Sequence, residues 1–526
     1  MEMNFDTIAA IATALSDSGI GIVRISGEKA VEIADSLIRS KKGASFVKGM
    51  ESHTIRYGFV VEDGNVSDDS LDGNGKEEGS AGGETDGSLD GNGKENGSAD
   101  GESDGSLAKG GNGKEGGNIV DEVMVSVFRA PKSYTKEDVV EINCHGGVLV
   151  TKKVLELVLR AGARLATPGE FTKRAFLNGR IDLAEAEAVM DLIHSKNELA
   201  MKASTTQLRG DLSAKLKSLR EKILYEIAFI ESALDDPEHI SLEGYPERLK
   251  GTSDFLIKEI QGLLQTAENG KMIKEGISTV ILGKPNAGKS SLLNMILGQE
   301  RAIVTDIAGT TRDALEEYVN LRGIHLNVID TAGIRDTQDV VERIGVERAR
   351  KYAADADLIL YVVDTSVALD ENDKEILSLI GDKKTIFLLN KSDLEQKVSE
   401  KEILSLLDGL RPEIGSDPED QISMISTSAA FGKGLEELEA EIEKLFFHGE
   451  VMQNDQVMIT NLRHKEALQN ALTALLLVQQ SLEDQMPEDF YSIDLMQAYA
   501  SLGNILGEEV GDDLVEEIFS KFCMGK

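Results

Sequence analysis

The sequence predicts a multidomain chain of mixed class, α/β plus all-α. An α+β domain comes first, then a helical domain interrupted by an inserted parallel-sheet domain. Three patterns lead there. Residues 275–448 alternate helical segments with short β-rich runs at Thr279–Leu282, His325–Ile329, Leu358–Val363, Thr385–Leu389 and Ile422–Ile425. Alternation of this kind folds as a parallel sheet with helices on both faces. On either side of that block, Asp182–Asp235 and Leu462–Phe522 carry apolar residues at helical spacing. The N-terminal part mixes the two periods. The expected domains are therefore 1–178 (α+β), 179–274 (helical, first part), 275–448 (α/β) and 449–526 (helical, second part).

Taken in order, Gly21–Ile25 and Glu122–Val127 read as strands, and helices are expected over Glu28–Ile38 and Gly147–Arg160. Between the two strands, residues 62–118 hold 17 glycines, 15 acids and 4 lysines in 57 residues, with almost no bulky apolar side chains. Ser70-Leu71-Asp72-Gly73-Asn74-Gly75-Lys76-Glu77 recurs from Ser88 to Glu95, and a degenerate copy starts at Ser106. A solenoid is excluded because each repeat offers one leucine to bury. The spaced ligands and closing Glu of a calcium loop are missing too. The segment is expected to be a disordered, solvated insert at a hairpin tip.

Asp182–Asp235 contains no proline and predicts two or more long helices. Beyond the α/β block, helices are expected over Leu462–Leu482, Asp494–Leu506 and Leu514–Phe522, with breaks at Pro487 and Gly511.

The 526 residues are 41% hydrophobic, enough for real cores, and the net charge is −37. Such an acidic chain is a poor coat for nucleic acid or membrane surfaces. Two cysteines, Cys144 and Cys523, exclude a disulfide framework. Neither a signal peptide nor an apolar run of ~18 residues is present, so no membrane span and a cytoplasmic location are expected.

The α/β block carries the chemistry. Gly283-Lys284-Pro285-Asn286-Ala287-Gly288-Lys289-Ser290 has the spacing of a P-loop, follows an expected strand and opens an expected helix. Its amides, with Ser291, would wrap phosphates at a helix N-terminus. Lys289 would reach the β- and γ-phosphates, and Ser290 would ligate Mg²⁺. Asp330-Thr331-Ala332-Gly333 ends another expected strand; its Asp would hold the magnesium shell and its Gly N–H would sense the γ-phosphate. Asn390-Lys391-Ser392-Asp393 follows a third strand, where an Asp accepts N1–H and N2–H of guanine, a donor pair that adenine lacks. Ser428-Ala429-Ala430 fits the loop whose backbone meets guanine O6. Between these motifs, Thr305, Asp306, Ile307, Ala308, Gly309, Thr310 and Thr311 occupy the switch I position, with Thr311 as the second Mg²⁺ ligand. In this order and context, the motifs predict a Ras-like P-loop domain that binds GTP. Ile334 follows the Asp-Thr-Ala-Gly motif where Ras-type enzymes use Gln, so another polar residue must orient water.

Asp6–Ala10, Gly21–Gly27, the run from Pro168-Gly169-Glu170-Phe171-Thr172-Lys173-Arg174 to Arg180, and the terminal Phe522-Cys523-Met524-Gly525-Lys526 resemble the MnmE (TrmE) family of tRNA modification GTPases. The resemblance covers essentially the whole chain except the insert. It implies an N-terminal domain that binds 5-formyl- or methylene-tetrahydrofolate and forms a homodimer. It also implies a flavoprotein partner, MnmG, with which the chain would modify carbon 5 of the wobble uridine of certain tRNAs. K⁺ would stand in for an arginine finger, held by Asn286, Thr305, the Ile307 backbone and Thr310. Catalytic roles fall to Glu342 (orienting water), Lys289 and Cys523, and folate contacts to Arg24, Glu141, Arg180 and Lys526. Two features depart from the family pattern: Ala14–Gly19 lacks the common Pro/Gly-rich character, and Arg180 stands where Lys is common.

Plainer readings compete. Glu342 could be a solvated helix charge among alternating signs, and Arg24–Glu141 a simple cross-strand ion pair. His145 beside Cys144 lacks the ligand count for zinc and reads as structural. Cys523 could be a packed structural thiol. For the whole chain, the competing class is a ribosome-assembly or regulatory GTPase without covalent chemistry. Those relatives usually add a basic RNA-binding module, and no Gly-x-x-Gly loop in a basic setting occurs at this C-terminus.

Overall fold

The computed structural model describes residues 6–62, 118–299, 316–321, 323–330, 350–380, 383–410, 422–447, 457–508, 510–523 and 525. The chain divides into two compact units, Met1–Arg180 with Phe519–Lys526, and Ile181–Ile518.

The first unit is a seven-stranded sheet in the order β3-β4-β5-β6-β2-β1-β7. Its strands are β1 (Ile8–Ile11), β2 (Ser18–Ser26), β3 (Ile38–Arg39), β4 (Thr54–Glu62), β5 (Asn118–Phe128), β6 (Val139–Gly146) and β7 (Arg164–Leu165). All pairings are antiparallel except β1 with β7. Helices α1 (Ala30–Leu37) and α2 (Val148–Arg160) contribute to the core on one face, where Val23, Ile25, Val125, Val127, Val140 and Ile142 meet Ala30, Ile33, Val154 and Val158. Inward-facing residues alternate along each strand, as half-buried sheets require. Glu62 pairs with Asn118, so the glycine-rich segment leaves and re-enters at one end of the β4–β5 ladder. Its residues 63–117 lie outside the described residues.

Helix α3 (Glu170–Leu177) closes this unit, and the end of the chain packs on it. The Phe519 ring lies 6.2 Å from Phe176 and 5.0 Å from Phe522. Gly169 has φ +68° and sits so close to the Phe519 carbonyl and the Phe522 ring that a Cβ would collide with them. The sequence reading assigned all of 449–526 to the helical domain. Apolar burial of Phe519 and Phe522 instead groups the last eight residues with the first unit.

The second unit contains both the helical elements and the α/β elements. The helices are α4 (Leu183–His194), α5 (Glu198–Leu208), α6 (Asp211–Asp235) and α7 (Tyr245–Glu275), joined after the α/β elements by α12 (Leu462–Glu483), α13 (Glu488–Leu506) and α14 (Asp512–Ser520). Asp182 and Glu185 form a reciprocal capping box that starts α4. Leu212, Leu216, Leu219, Ile223 and Ile230 line one stripe of α6, and Leu249, Leu256, Ile260 and Leu263 one stripe of α7; both close on Leu468, Leu475, Leu495 and Leu502. Helix α13 begins directly after Pro487 rather than at Asp494, because Glu488 and Asp489 suit the first turn and proline marks its start.

The α/β part is a six-stranded sheet in the order β13-β12-β11-β8-β10-β9. Its strands are β8 (Ile277–Leu282), β9 (Glu316–Leu321), β10 (Ile324–Asp330), β11 (Leu358–Asp364), β12 (Lys384–Asn390) and β13 (Ile422–Ser426). The helices are α8 (Lys289–Gln299), α9 (Glu371–Leu377), α10 (Glu400–Leu410) and α11 (Leu435–Phe447). Leu358, Leu360 and Val362 enter one core and Ile359, Tyr361 and Val363 the other, which is why β11 reads as one hydrophobic run up to its terminal Asp364. The antiparallel edge strand β9 had no counterpart in the sequence reading.

Candidate functional site

The P-loop leaves β8 through Gly283 at φ +146°, turns at Asn286 (φ +63°) and Gly288 (φ +103°), and enters α8 at Lys289. A Cβ at Gly283 would strike the Val362 carbonyl, and one at Gly288 the side-chain amide of Asn390. Lys289 donates from Nζ to the carbonyls of Gly283 (2.7 Å) and Lys284 (2.9 Å), so its ammonium lies over the loop. Ser290 and Ser291 follow in the first turn of α8, where unpaired amides and the helix dipole favour anions.

Asn390 ties the loops together. Its side chain is 2% exposed, donates to the Ala287 carbonyl (2.9 Å) and accepts from the Ala429 amide (3.1 Å). Lys391 adopts φ +62° and pairs with Asp364 at 2.5 Å. Burial pushes the Asp364 carboxyl up, but hydrogen bonds from Lys391 and Ser366 outweigh it and hold the group below the usual carboxylate range. Ser392 donates its amide to the Thr427 carbonyl, and Asp393 accepts the Ser428 hydroxyl at 2.6 Å. The P-loop, Asn390–Asp393 and Ser428–Ala430 thus converge on one end of the parallel sheet, at the carboxyl ends of its strands, where open α/β sheets bind ligands. Asp330 closes β10 opposite Ile281 of β8. Thr305, Asp306, Ile307, Ala308, Gly309, Thr310, Thr311, Thr331, Ala332, Gly333 and Glu342 lie outside the described residues.

The sequence reading missed Lys284 as a structural residue. It pairs with Asp373 (2.7 Å) and Asp370 (3.2 Å), anchoring the P-loop to the start of α9. Nothing in the local sequence signals this pairing, since the partners are far away in the chain.

A second cluster forms in the first unit. Arg24 and Glu141 face each other across β2 and β6 and bond at 2.8 Å. Arg24 also donates to the Gly525 carbonyl at 3.0 Å, which brings the chain's end to the sheet. Gly525 has φ +87°, and a Cβ there would collide with the Ile11 carbonyl. Two guanidinium groups lie over the Tyr134 ring, Arg24 at 5.6 Å and Arg180 at 4.7 Å from its centre. Its hydroxyl meets Thr172 at 2.9 Å, and its carbonyl accepts from Arg180 at 3.1 Å. The sequence carried no signal for Tyr134, because only tertiary folding puts it there.

Beneath this cluster Arg174, 8% exposed, bonds Asp6, Glu137 and Glu170. Arg164 lowers the Asp6 carboxyl from its ordinary value. Glu137 in turn accepts from Ser26, fixing the loop that carries Tyr134. Cys523 is exposed, and its carbonyl accepts the Gly169 amide at 3.3 Å. The structure thus gives no support to the reading of Cys523 as a packed thiol. Lys526 lies outside the described residues. Cys144 is buried, its thiol pushed up by burial and bonded to the Gly21 carbonyl, while His145 pairs with Asp121 at 2.7 Å. Among the described residues no cluster of three or more His, Cys, Asp or Glu is arranged to hold a metal, and no helix is long and apolar enough to cross a membrane.

The family model described as MnmE helical domain matches residues 183–523, and that described as GTP-binding protein TrmE N-terminus matches 7–85 and 98–180. The tRNA modification GTPase MnmE of Lachnoclostridium phytofermentans is 50% identical over 524 residues, covering 100% of both chains. Proteins of the same name from Acetivibrio thermocellus and Enterococcus faecalis are each 44% identical over 522 and 525 residues, covering 99% or more of this chain and 99% of theirs. With family models spanning most of the chain and full-length relatives at this identity, the chain belongs to the MnmE family of tRNA modification GTPases.

Proposed function

We propose that the chain hydrolyses GTP as one subunit of a complex that adds an aminomethyl or carboxymethylaminomethyl group to carbon 5 of wobble uridine in certain tRNAs. It works in the cytoplasm as a homodimer with the FAD-dependent partner MnmG. The single observation that carries the reading is the pairing of two sites in one chain: a loop set built for a guanine nucleotide, and an Arg24–Tyr134–Arg180 cluster closed by the chain's own end.

At the nucleotide site Lys289 neutralises the β- and γ-phosphates, and Asp393 selects guanine through its two donors. Ser290 and Thr311 would hold Mg²⁺. Asn286, Thr305, the Ile307 carbonyl and Thr310 would hold K⁺. The hydroxyl and amide oxygens of these donor sets suit hard cations. Glu342 orients water in place of the glutamine absent at Ile334.

At the second site the residues fit a tetrahydrofolate. The guanidinium groups of Arg24 and Arg180, gathered at Tyr134, can meet the carboxylate tail of a folate. Bound there, a tetrahydrofolate supplies a one-carbon unit. Glu141 holds Arg24 in place, and Lys526 lies within the same terminal run as Cys523. The exposed Cys523 thiol is the candidate nucleophile of this site.

Equilibrium binding of 5-formyltetrahydrofolate to the full-length chain tests this part. Arg24→Ala and Arg180→Ala should each weaken binding by about tenfold or more, the scale of a lost charge-assisted contact. Equal affinity in all three proteins would remove folate from the account.

A further inference from the structure

We propose that Lys196, Tyr318 and His325 form a clasp through which the helical elements position the β9–β10 hairpin, and thereby set the rate of GTP hydrolysis. The inference rests on the reading of the chain as a GTPase, and goes beyond it by assigning positioning residues outside the nucleotide site.

The hairpin occupies a special place in the sequence. β9 begins at Glu316, three residues after the end of the segment Thr310-Thr311-Arg312-Asp313, and β10 ends at Asp330, the first residue of Asp-Thr-Ala-Gly. Any shift of the hairpin therefore moves the anchor points of both segments expected to contact the γ-phosphate and its cations. The two strands are paired from Ile324 with Leu321 to Ile329 with Glu316, so they move as one piece. Among the described residues β9 is the last strand of the sheet, with no strand beyond it to hold it.

What holds it instead comes from the helical part. Lys196, in the link between α4 and α5, places its ammonium 4.1 Å from the centre of the Tyr318 ring. That ring stacks on His325 of the partner strand, centres 5.5 Å apart and planes within 14°. His325 is only 5% exposed and rests against Gly276, where a Cβ would come within 2.8 Å of the imidazole. Asn327 donates to the Glu275 carbonyl at the end of α7 (2.9 Å), and Leu199 of α5 approaches the hairpin turn at Gly323. The α4–α5 link and the end of α7 are themselves joined, since Asn197 donates to the Ile273 carbonyl at 2.9 Å and caps α5 through the Ala200 amide. Ala200 and Ile273 share one apolar core with Val319, Leu321, Ile324 and Leu326.

The division of labour follows from burial. The apolar contacts keep the parts together. The Lys196–Tyr318 contact is exposed, with Tyr318 46% accessible, and exposed cation–π pairs add little to global stability. Its leverage is on where the hairpin sits, and small displacements of reacting groups have large kinetic effects.

The test uses the full-length chain with GTP, Mg²⁺ and K⁺, measuring kcat, KM, GDP affinity and melting temperature. Lys196→Ala and Tyr318→Ala should each lower kcat by about threefold to tenfold, with GDP affinity and melting temperature unchanged. Tyr318→Phe, which keeps the ring, should restore wild-type turnover. The Lys196→Ala/Tyr318→Ala double variant should be no slower than the slower single variant, because both remove one contact. Wild-type kcat in both single variants, or losses that multiply in the double, would overturn the clasp. If Tyr318→Ala loses GDP binding, Lys196→Ala alone decides, since its side chain is exposed. Absence of GTP turnover in the wild-type chain would instead sink the GTPase reading itself.

Discussion

Asp393 and His325 show how single side chains are set by their surroundings. Asp393 is held by the Ser428 hydroxyl, in the loops proposed to bind the guanine base. Its replacement by Asn would keep the size, still accept guanine N1–H, but present a donor to the guanine 2-amino group. Asp393→Asn should therefore bind GTP at least about 10²-fold more weakly and bind xanthosine triphosphate better, because xanthine offers a carbonyl there. Competition of both nucleotides against labelled GDP measures the switch, and unchanged preference would refute the assignment. His325 is a pH-dependent element: burial first, then the nearby Lys196 charge, push its imidazole down to about 4. The unfolded chain takes up this proton near pH ~6.5, so the native state binds fewer protons between those values. Stability from this residue is present above pH ~6.5 and is lost as pH falls toward about 4. Urea unfolding of wild type and His325→Gln should show the wild-type advantage shrinking from pH 7 to pH 4.5. A constant difference would contradict the buried neutral ring.

Among the elements, the clearest test concerns the glycine-rich segment between β4 and β5. Glu62 and Asn118 are already paired, so a short Gly/Ser turn can join them without moving the ladder. Replacing residues 63–117 this way should leave the melting temperature and the GTPase rate nearly unchanged; a large loss of either would show that the segment contributes to the fold. What was legible at this scale follows from local physics. The P-loop could be read because its glycines answer to steric demands at Gly283 and Gly288. β11 could be read because both faces are buried, giving an unbroken apolar run. β9 could not, because two glutamates open it and only Val319 and Leu321 among its described positions are buried. The start of α13 was set too late because Glu488-Asp489-Phe490 looks like a linker until the proline before it is seen to begin the helix. Tyr134 was illegible, since its role depends on Arg24 and Arg180, residues distant in sequence.

The chain carries the P-loop cluster in one unit and the arginine–tyrosine cluster in the other, and it belongs to a family of tRNA modification GTPases. Its acidity bears on how RNA would be engaged. With a net charge of −37, the chain is poorly suited to supply most phosphate contacts, consistent with a partner that does. The most direct measurement is nucleoside mass spectrometry of tRNA from cells lacking this chain, rescued with wild type or with Cys523→Ser. The account predicts that deletion removes the carbon-5 group from wobble uridine, that wild type restores it, and that Cys523→Ser fails to do so while purified Cys523→Ser protein turns over GTP normally. Wobble uridines unchanged by the deletion would contradict the account.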